Sequence, residues 1–272
     1  MTALRTKDLS GHLTDRDIRI LEDLENHRLL TTRQVQRLHF PAQPLGPHTT
    51  TSSGTRGTTR VLTRLEGLGT IRRLARRIGG TKHGSSVTIW QLGASGERFL
   101  RQRAGRATRK YYEEPRLPFI EHTLAVADVA VALIEQANAS HFELLDLQPE
   151  PSCWRTFTGP GGTVTSLNPD LFVVTADPST ETHSFVEVDC ETEHGPDIRR
   201  KCSTYQQYFH TGAEQQARGL FPAVVWIVPT TRRANALQDV IRGDQTLNPS
   251  LFWVITTEQT LGQLAPYGAS TT

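Results

Sequence analysis

Residues 223–228, AVVWIV, carry no polar side chain, and a strand with two apolar faces has to be covered on both. Further strand-like segments lie at 141–147 (HFELLDL), 153–158 (CWRTFT), 170–176 (DLFVVTA), 183–190 (HSFVEVDC) and 250–256 (SLFWVIT), with helical periodicity at 196–211 and 231–242. This strand–helix–strand–helix–strand series predicts a mixed β-sheet flanked by helices on both faces. Gly159–Gly162 reads as the turn of a hairpin leading into the strand at 170. The block 119–137, FIEHTLAVADVAVALIEQA, reads as a largely buried helix interrupted by Glu121, His122 and Asp128.

The N-terminal part is patterned differently. Residues 14–27 begin with Thr14 or Asp15 as an N-cap and place Ile18, Leu21, Leu24 and Glu25 at helical spacing. A shorter helix follows at 32–39, capped by Thr31 or Thr32, and stops at Phe40-Pro41. After a loop at 41–54, TRGTTRVLTRLEGLG resumes the helical period, with Arg56, Arg60 and Arg64 along one side. Two alternating segments around TKHGSS then form a β-hairpin pattern, with Lys82 and His83 at its tip, and Gly93–Arg103 closes the module as a helix. Three helices and a hairpin in this order predict a winged helix-turn-helix whose third helix enters the major groove. The domains expected are therefore a winged helix over 1–104, a linker over 105–118 and an α/β domain over 119–272.

Charge follows the same division. Residues 1–112 hold 21 Lys and Arg against 8 Asp and Glu, while residues 113–272 hold 9 against 20. A basic lobe of that strength suits a polyphosphate, because neutralised phosphates release condensed counterions. Arg56, Arg60, Arg64, Arg72, Arg73, Arg76, Arg77, Lys82 and His83 are the candidate contacts to double-stranded DNA, being confined to the third helix and the hairpin. An acidic lobe can act on DNA when its carboxylates hold a divalent metal, and tethering raises its local concentration at the duplex. Cys153, Cys190 and Cys202 form no CxxC and signal neither disulfides nor zinc. The N-terminus lacks an apolar signal core and no apolar run approaches ~20 residues, so a cytoplasmic protein without a membrane partner is expected.

The acidic chemistry concentrates between Asn168 and Lys201. Alternation along HSFVEVDC sends Phe185, Glu187 and Asp189 to one face. Asp170 begins the neighbouring strand and can approach Glu187 across the ladder, giving two carboxylates suited to Mg²⁺ or Mn²⁺. Lys201, on the next helix with Ile198, Cys202, Tyr205 and Phe209, looks back toward the sheet and would stabilise pentacovalent charge or orient a nucleophile. The catalytic candidates are thus Asp170, Glu187, Asp189 and Lys201, with Asp170 and Glu187 as metal ligands.

The order N-terminal winged helix, Ala/Val-rich helix from near His122, then NPD…FVEVDCETE…RRKCSTYQQY resembles the replication-relaxation family of plasmids and conjugative elements over nearly the whole chain. Its C-terminal lobe is similar to the PD-(D/E)xK nuclease superfamily, which implies a restriction-endonuclease-like fold. On that resemblance Asp170 matches the PD acid, Glu187 the second acid, and Glu121 or Asp128 an accessory acid; the lysine position holds Asp189, so its charge would come from Lys201. The function implied is metal-dependent nicking or cleavage of DNA in replication or mobilisation. None of the ten histidines forms a His-hydrophobic-His motif, so the common relaxase mechanism has no support. Attack by Tyr205 or Tyr208 to form a phosphotyrosyl link is one competing expectation. Another is a non-catalytic DNA-binding initiator or regulator; a homodimer is compatible with either.

Overall fold

The structure is a computed structural model that describes residues 9–74, 87–112, 115–139 and 142–264, without the side chains of Leu261 and Gln263. Its elements divide into two compact units, Met1–Val131 and Ala132–Thr272.

In the first unit, α1 (Asp15–His27) leads through β1 (Leu29–Thr31) to α2 (Thr32–His39) and α3 (Thr51–Gly67). Then come β2 (Ile71–Arg73), β3 (Ile89–Leu92), α4 (Ala94–Arg103) and the start of α5 (Leu117–Asn138). The first three helices each begin with a reciprocal capping box, on Thr14, Thr31 and Thr50, in which a side-chain oxygen takes up an otherwise orphan amide. The strands pair antiparallel in the order β1–β3–β2, with Ile71 opposite Leu92 and Leu30 opposite Trp90. Ile20, Leu21, Leu24, Leu62, Leu65, Trp90 and Phe99 form the core beneath them.

The loop expected to reach residue 54 ends earlier, because Thr50 caps α3 and Ser53 returns the bond. Gly54 serves a close approach there: a Cβ on it would lie 2.6 Å from the Phe40 carbonyl oxygen. The hairpin strands β2 and β3 match the expected pairing, while Arg76, Arg77, Lys82 and His83 lie outside the described residues.

Arg64 is committed within the unit, its Nη2 lying 2.6 Å from Asp17 Oδ1 and its Nη1 3.0 Å from the His12 carbonyl. Burial pushes the Asp17 carboxyl up, but Arg64 and the Thr14 amide and hydroxyl outweigh it and hold the group below its usual range. Asp17→Asn should cost about 2 kcal/mol in a urea melt at neutral pH, since it breaks a cap and a buried charge pair together. A depressed carboxylate stabilises above its unfolded value of 3.8 and loses that contribution as pH falls through the lower folded value. Wild type and variant should therefore converge in acid; a constant difference would mean that charge is not what Asp17 supplies.

The two units divide inside α5, after Val131, and not in the polar stretch 105–118. The reason is visible in the packing, since Ile120 and Leu124 of α5 bury against Leu29, Leu74 and Ile89. Gln34 Nε2 also donates to the Leu124 carbonyl, 3.0 Å, and to Asp128 Oδ1, 2.9 Å. Among the described residues α5 is the one helix long and apolar enough to cross a membrane by length and composition, a test that the core helix of a globular protein also passes, and half of its most apolar window is buried inside the protein.

In the second unit β4 (Glu143–Pro149), β5 (Arg155–Thr158), β6 (Val164–Leu167), β7 (Leu171–Ala176) and β8 (Glu181–Val188) precede α6 (Gly195–Thr211) and α7 (Ala213–Arg218). They are followed by β9 (Ala223–Val228), α8 (Thr231–Arg242), β10 (Phe252–Thr256) and α9 (Thr260–Leu264). The main sheet runs β10–β9–β8–β7–β4, parallel across β10, β9 and β8 and antiparallel from β8 to β4. It is the mixed sheet that the apolar strands predicted. The turn at Gly159–Gly162 does not lead into β7; it joins β5 to β6 as a separate two-stranded sheet. At the β4 edge the pairing shifts register between Leu144 and Asp146 and leaves Leu145 exposed.

One face of the sheet packs Phe172, Phe185, Val224 and Trp226 against Ile198, Cys202 and Tyr205 of α6 and Leu237 of α8. Burying an aliphatic or aromatic side chain of this size stabilises by roughly 1.5–3 kcal/mol each, which holds α6 firmly over the β8–β9 strands. Thr175, of opposite parity, donates to the Leu264 carbonyl of α9 at 2.7 Å, so the other face is covered too.

Candidate functional site

The register pairs Leu171 with Val186, which sets Asp170 opposite Glu187. The Asp170 amide donates to the Val186 carbonyl, 3.1 Å, and its Oδ2 accepts from the Val188 amide, 2.7 Å. That pair of bonds ties the carboxylate to the end of β8. Glu187, only 1% exposed, is held on both oxygens: Tyr205 donates its hydroxyl to Oε1 at 2.5 Å, and the Lys201 ammonium lies 2.7 Å from Oε2.

Lys201 does reach the sheet from its helix. Its ammonium also lies 2.9 Å from Glu193 Oε1 and 5.3 Å from the centre of the Trp226 ring. Trp226 stands opposite Glu187 in the β8–β9 register, so strand pairing and helix packing converge on one amine.

Electrostatics follow from this burial. Desolvation pushes the Glu187 carboxyl up to about 7, Lys201 opposes the rise, and the nearby Asp170 adds to it. Burial pushes the Lys201 ammonium down, but Glu187, Asp170 and Glu193 outweigh it and hold the amine above its usual value. The Tyr205 hydroxyl, fully buried beside Glu187, is raised well above the ordinary phenol.

Asp189 takes a different place from the one the motif suggests. Its carboxylate is bidentate on Arg233, with Nε to Oδ2 at 2.5 Å and Nη2 to Oδ1 at 3.1 Å, and its side chain is fully buried. An acid saturated by a guanidinium is a structural anchor, which corrects its assignment to the catalytic set. Tyr205 and Tyr208 are likewise buried and bonded, Tyr208 to Glu214 at 2.9 Å, so neither hydroxyl is presented for attack on a phosphate. Glu121, His122 and Asp128 belong to the N-terminal unit, where the Asp128 carboxylate meets Gln34 and, at 3.8 Å, Arg37.

Glu193, Trp226 and Arg233 were not singled out from the sequence. The one available signal was the acid-rich CETEHG loop between strand and helix, which has to return a carboxylate somewhere near Lys201.

Among the described residues no three His, Cys, Asp or Glu side chains form a group that could cage an ion. The donors that suit a hard divalent cation are the carboxylates of Asp170 and Glu187, whose number matches what Mg²⁺ takes from protein before water and phosphate complete its shell. Three carboxyl groups, those of Asp170, Glu187 and Glu193, lie around the one ammonium of Lys201.

Of the proposed DNA contacts, Arg56 and Arg60 are exposed on α3. Arg64 is bound to Asp17. Arg72 is bonded to Gln91 and the Tyr112 carbonyl, and Arg73 meets Glu66 at 2.9 Å and stacks on Trp90. The helical period placed Arg56, Arg60 and Arg64 along one side of their helix, but it could not show that the fold itself employs Arg64.

Residues 21–224 match the model of the family described as replication-relaxation, three-quarters of the chain. The chain belongs to the replication-relaxation family. No curated protein matches this family member. The structure titled restriction endonuclease FokI bound to DNA aligns with 95% of this replication-relaxation chain at 14% identity and a TM-score of 0.26, too low to bear on fold or site. The alignment covers 47% of FokI, so the chain spans less than half that protein's length.

Proposed function

We propose that this replication-relaxation protein binds double-stranded DNA through an N-terminal winged helix-turn-helix and hydrolyses a phosphodiester in a restriction-endonuclease-like C-terminal unit. Replication or mobilisation of plasmids and other mobile elements, in the cytoplasm, is the setting that its family suggests. The observation that carries the reading is the Lys201 ammonium at 2.7 Å from Glu187, with Asp170 opposite Glu187 in the ladder. An acid at a strand start, an acid on the next strand and an amine beside it are the parts that the motif requires, with the lysine arriving from a helix. The order helix, strand, helix, helix, strand, strand with sheet β1–β3–β2 supports the winged helix.

Asp170 and Glu187 would hold Mg²⁺ or Mn²⁺. Such an ion, when bound, lowers the pKa of water and stabilises the leaving oxygen of a phosphodiester. The Val188 amide and the Tyr205 hydroxyl keep the two carboxylates oriented before substrate arrives. Lys201 stays protonated at neutral pH, so it is no base; its fixed charge stabilises negative charge that develops on the phosphate. On the DNA side Arg56 and Arg60 are the exposed candidates, and the sequence adds Arg76, Arg77, Lys82 and His83, which lie outside the described residues.

The test is nicking of supercoiled plasmid carrying the element's own origin, with Mg²⁺ or Mn²⁺, by wild type, Asp170→Ala and Glu187→Gln. Nicking by wild type and its loss by at least about a hundredfold in both variants is expected, as each removes half of the carboxylate set. Salt-sensitive DNA binding without any nicking would instead make the C-terminal unit a non-catalytic part of a replication initiator or regulator.

A further inference from the structure

We infer that Arg233 is a positioning residue for Lys201: its guanidinium clamps the loop 189–194, so that Glu193 holds the Lys201 ammonium against Glu187. The inference rests on the proposed site only for its functional meaning, since the clamp itself is read from contacts.

The contacts run in series. Arg233 binds both oxygens of Asp189 at the end of β8, and its Nη2 also donates to the Glu193 carbonyl at 2.6 Å. The side chain of the same Glu193 accepts from Lys201 Nζ at 2.9 Å. One planar guanidinium therefore spans the strand end and the far side of the loop, a task for its fork of donors that a lysine's compact ammonium cannot share. Thr230 adds a second tie between the same loop and the start of α8: its hydroxyl donates to Glu191 Oε1 at 3.3 Å and caps the Arg233 amide at 3.2 Å.

The backbone carries an independent mark of this constraint. Glu191, between Asp189 and Glu193, has φ +62°, a left-handed conformation uncommon for a non-glycine residue. Such strain persists where surrounding contacts over-determine the chain. Asp189 thus stands where the motif would put its lysine for a physical reason. The amine comes from α6, and the vacated strand position anchors the loop that receives it.

The chain has four lysines, Lys7, Lys82, Lys110 and Lys201, so amine reactivity can be followed site by site with three internal references. The Lys201 amine faces Glu187 and Asp170 from the sheet, Glu193 from the loop, and the ring of Trp226. Full-length wild type, Arg233→Lys and Glu193→Gln would be labelled with acetic anhydride from pH 7 to 10 and read by peptide mass spectrometry, with circular dichroism as the fold control.

Lys201 labelling should rise selectively in both variants, by about tenfold, the factor that loss of one charge-assisted hydrogen bond on the amine gives. Lys7, Lys82 and Lys110 should keep their wild-type rates. Unchanged Lys201 reactivity in folded Arg233→Lys and Glu193→Gln would overturn the inference, because Glu187 alone would then hold the amine. If Arg233→Lys does not fold, Asp189→Asn decides in its place, as it loosens the same guanidinium from the strand end and leaves Glu193 and Lys201 unaltered; unchanged Lys201 labelling there overturns the inference. The readout needs no catalysis, so absence of nicking by wild type sinks the nuclease reading without touching this one, and unchanged labelling beside intact nicking does the reverse.

Discussion

Lys201→Met should destabilise the C-terminal unit by about 3 kcal/mol at pH 8, as expected when one member of a buried ion pair is removed, the low end reflecting a partly exposed lysine. The cost should be much smaller at pH 5. Glu187 is 1% exposed, and the ammonium 2.7 Å away is the cation that makes its ionised form tolerable. In wild type its carboxyl is raised from 4.5 to about 7, so the native state binds more protons than the unfolded chain between those values. The contribution of this group to stability is therefore complete below 4.5 and declines as pH rises through about 7. Without Lys201 the folded value moves higher still, and the decline extends into alkaline solution. Urea unfolding at the two pH values measures the difference. Adding Glu187→Gln to Lys201→Met should recover much of the loss, because the stranded charge goes with it. Equal losses at both pH values would show that Lys201 contributes packing and not charge.

Binding of Mn²⁺ should release protons near neutrality. An ion on Asp170 and Glu187 requires Glu187 ionised, and at pH values around its folded value of about 7 a substantial fraction is protonated. Calorimetric titrations in two buffers of different ionisation enthalpy would count those protons, which should disappear from the balance by about pH 9. Asp170→Ala should weaken binding by on the order of a hundredfold, since affinity at oxygen-ligand sites follows the number of charged ligands. Binding that is unaffected by Asp170→Ala, or that exchanges no proton at pH 7, would place the ion elsewhere.

The part of the site that was legible in the sequence is the part set by strand alternation and short-range order. Asp170, Glu187 and Lys201 come together because register and helix phase follow from local patterns of apolar residues. Asp189 was legible as inward-facing but not as a clamp, since its partner lies 44 residues later on another helix. The same holds for Arg64, whose ion pair with Asp17 bridges 47 residues. Charge pairing across such separations leaves no period to detect. The β5–β6 sheet was missed because Gly159–Gly162 signals a turn without saying which strand follows it. The boundary between units escaped for a related reason: composition changes at 105–118, whereas cohesion is set by the apolar contacts of Ile120 and Leu124.

The register shift in β4 bears on self-association. An outer strand offers a row of unpaired backbone groups on which another chain can extend the sheet, and an inserted residue twists that row out of line. Between Leu144 and Asp146 the row is interrupted, and Pro149 at the end of the strand has no amide to donate. The β4 margin is thereby a poor template for growth, and two copies of this protein that associate would meet through side-chain surfaces instead of joining their sheets there.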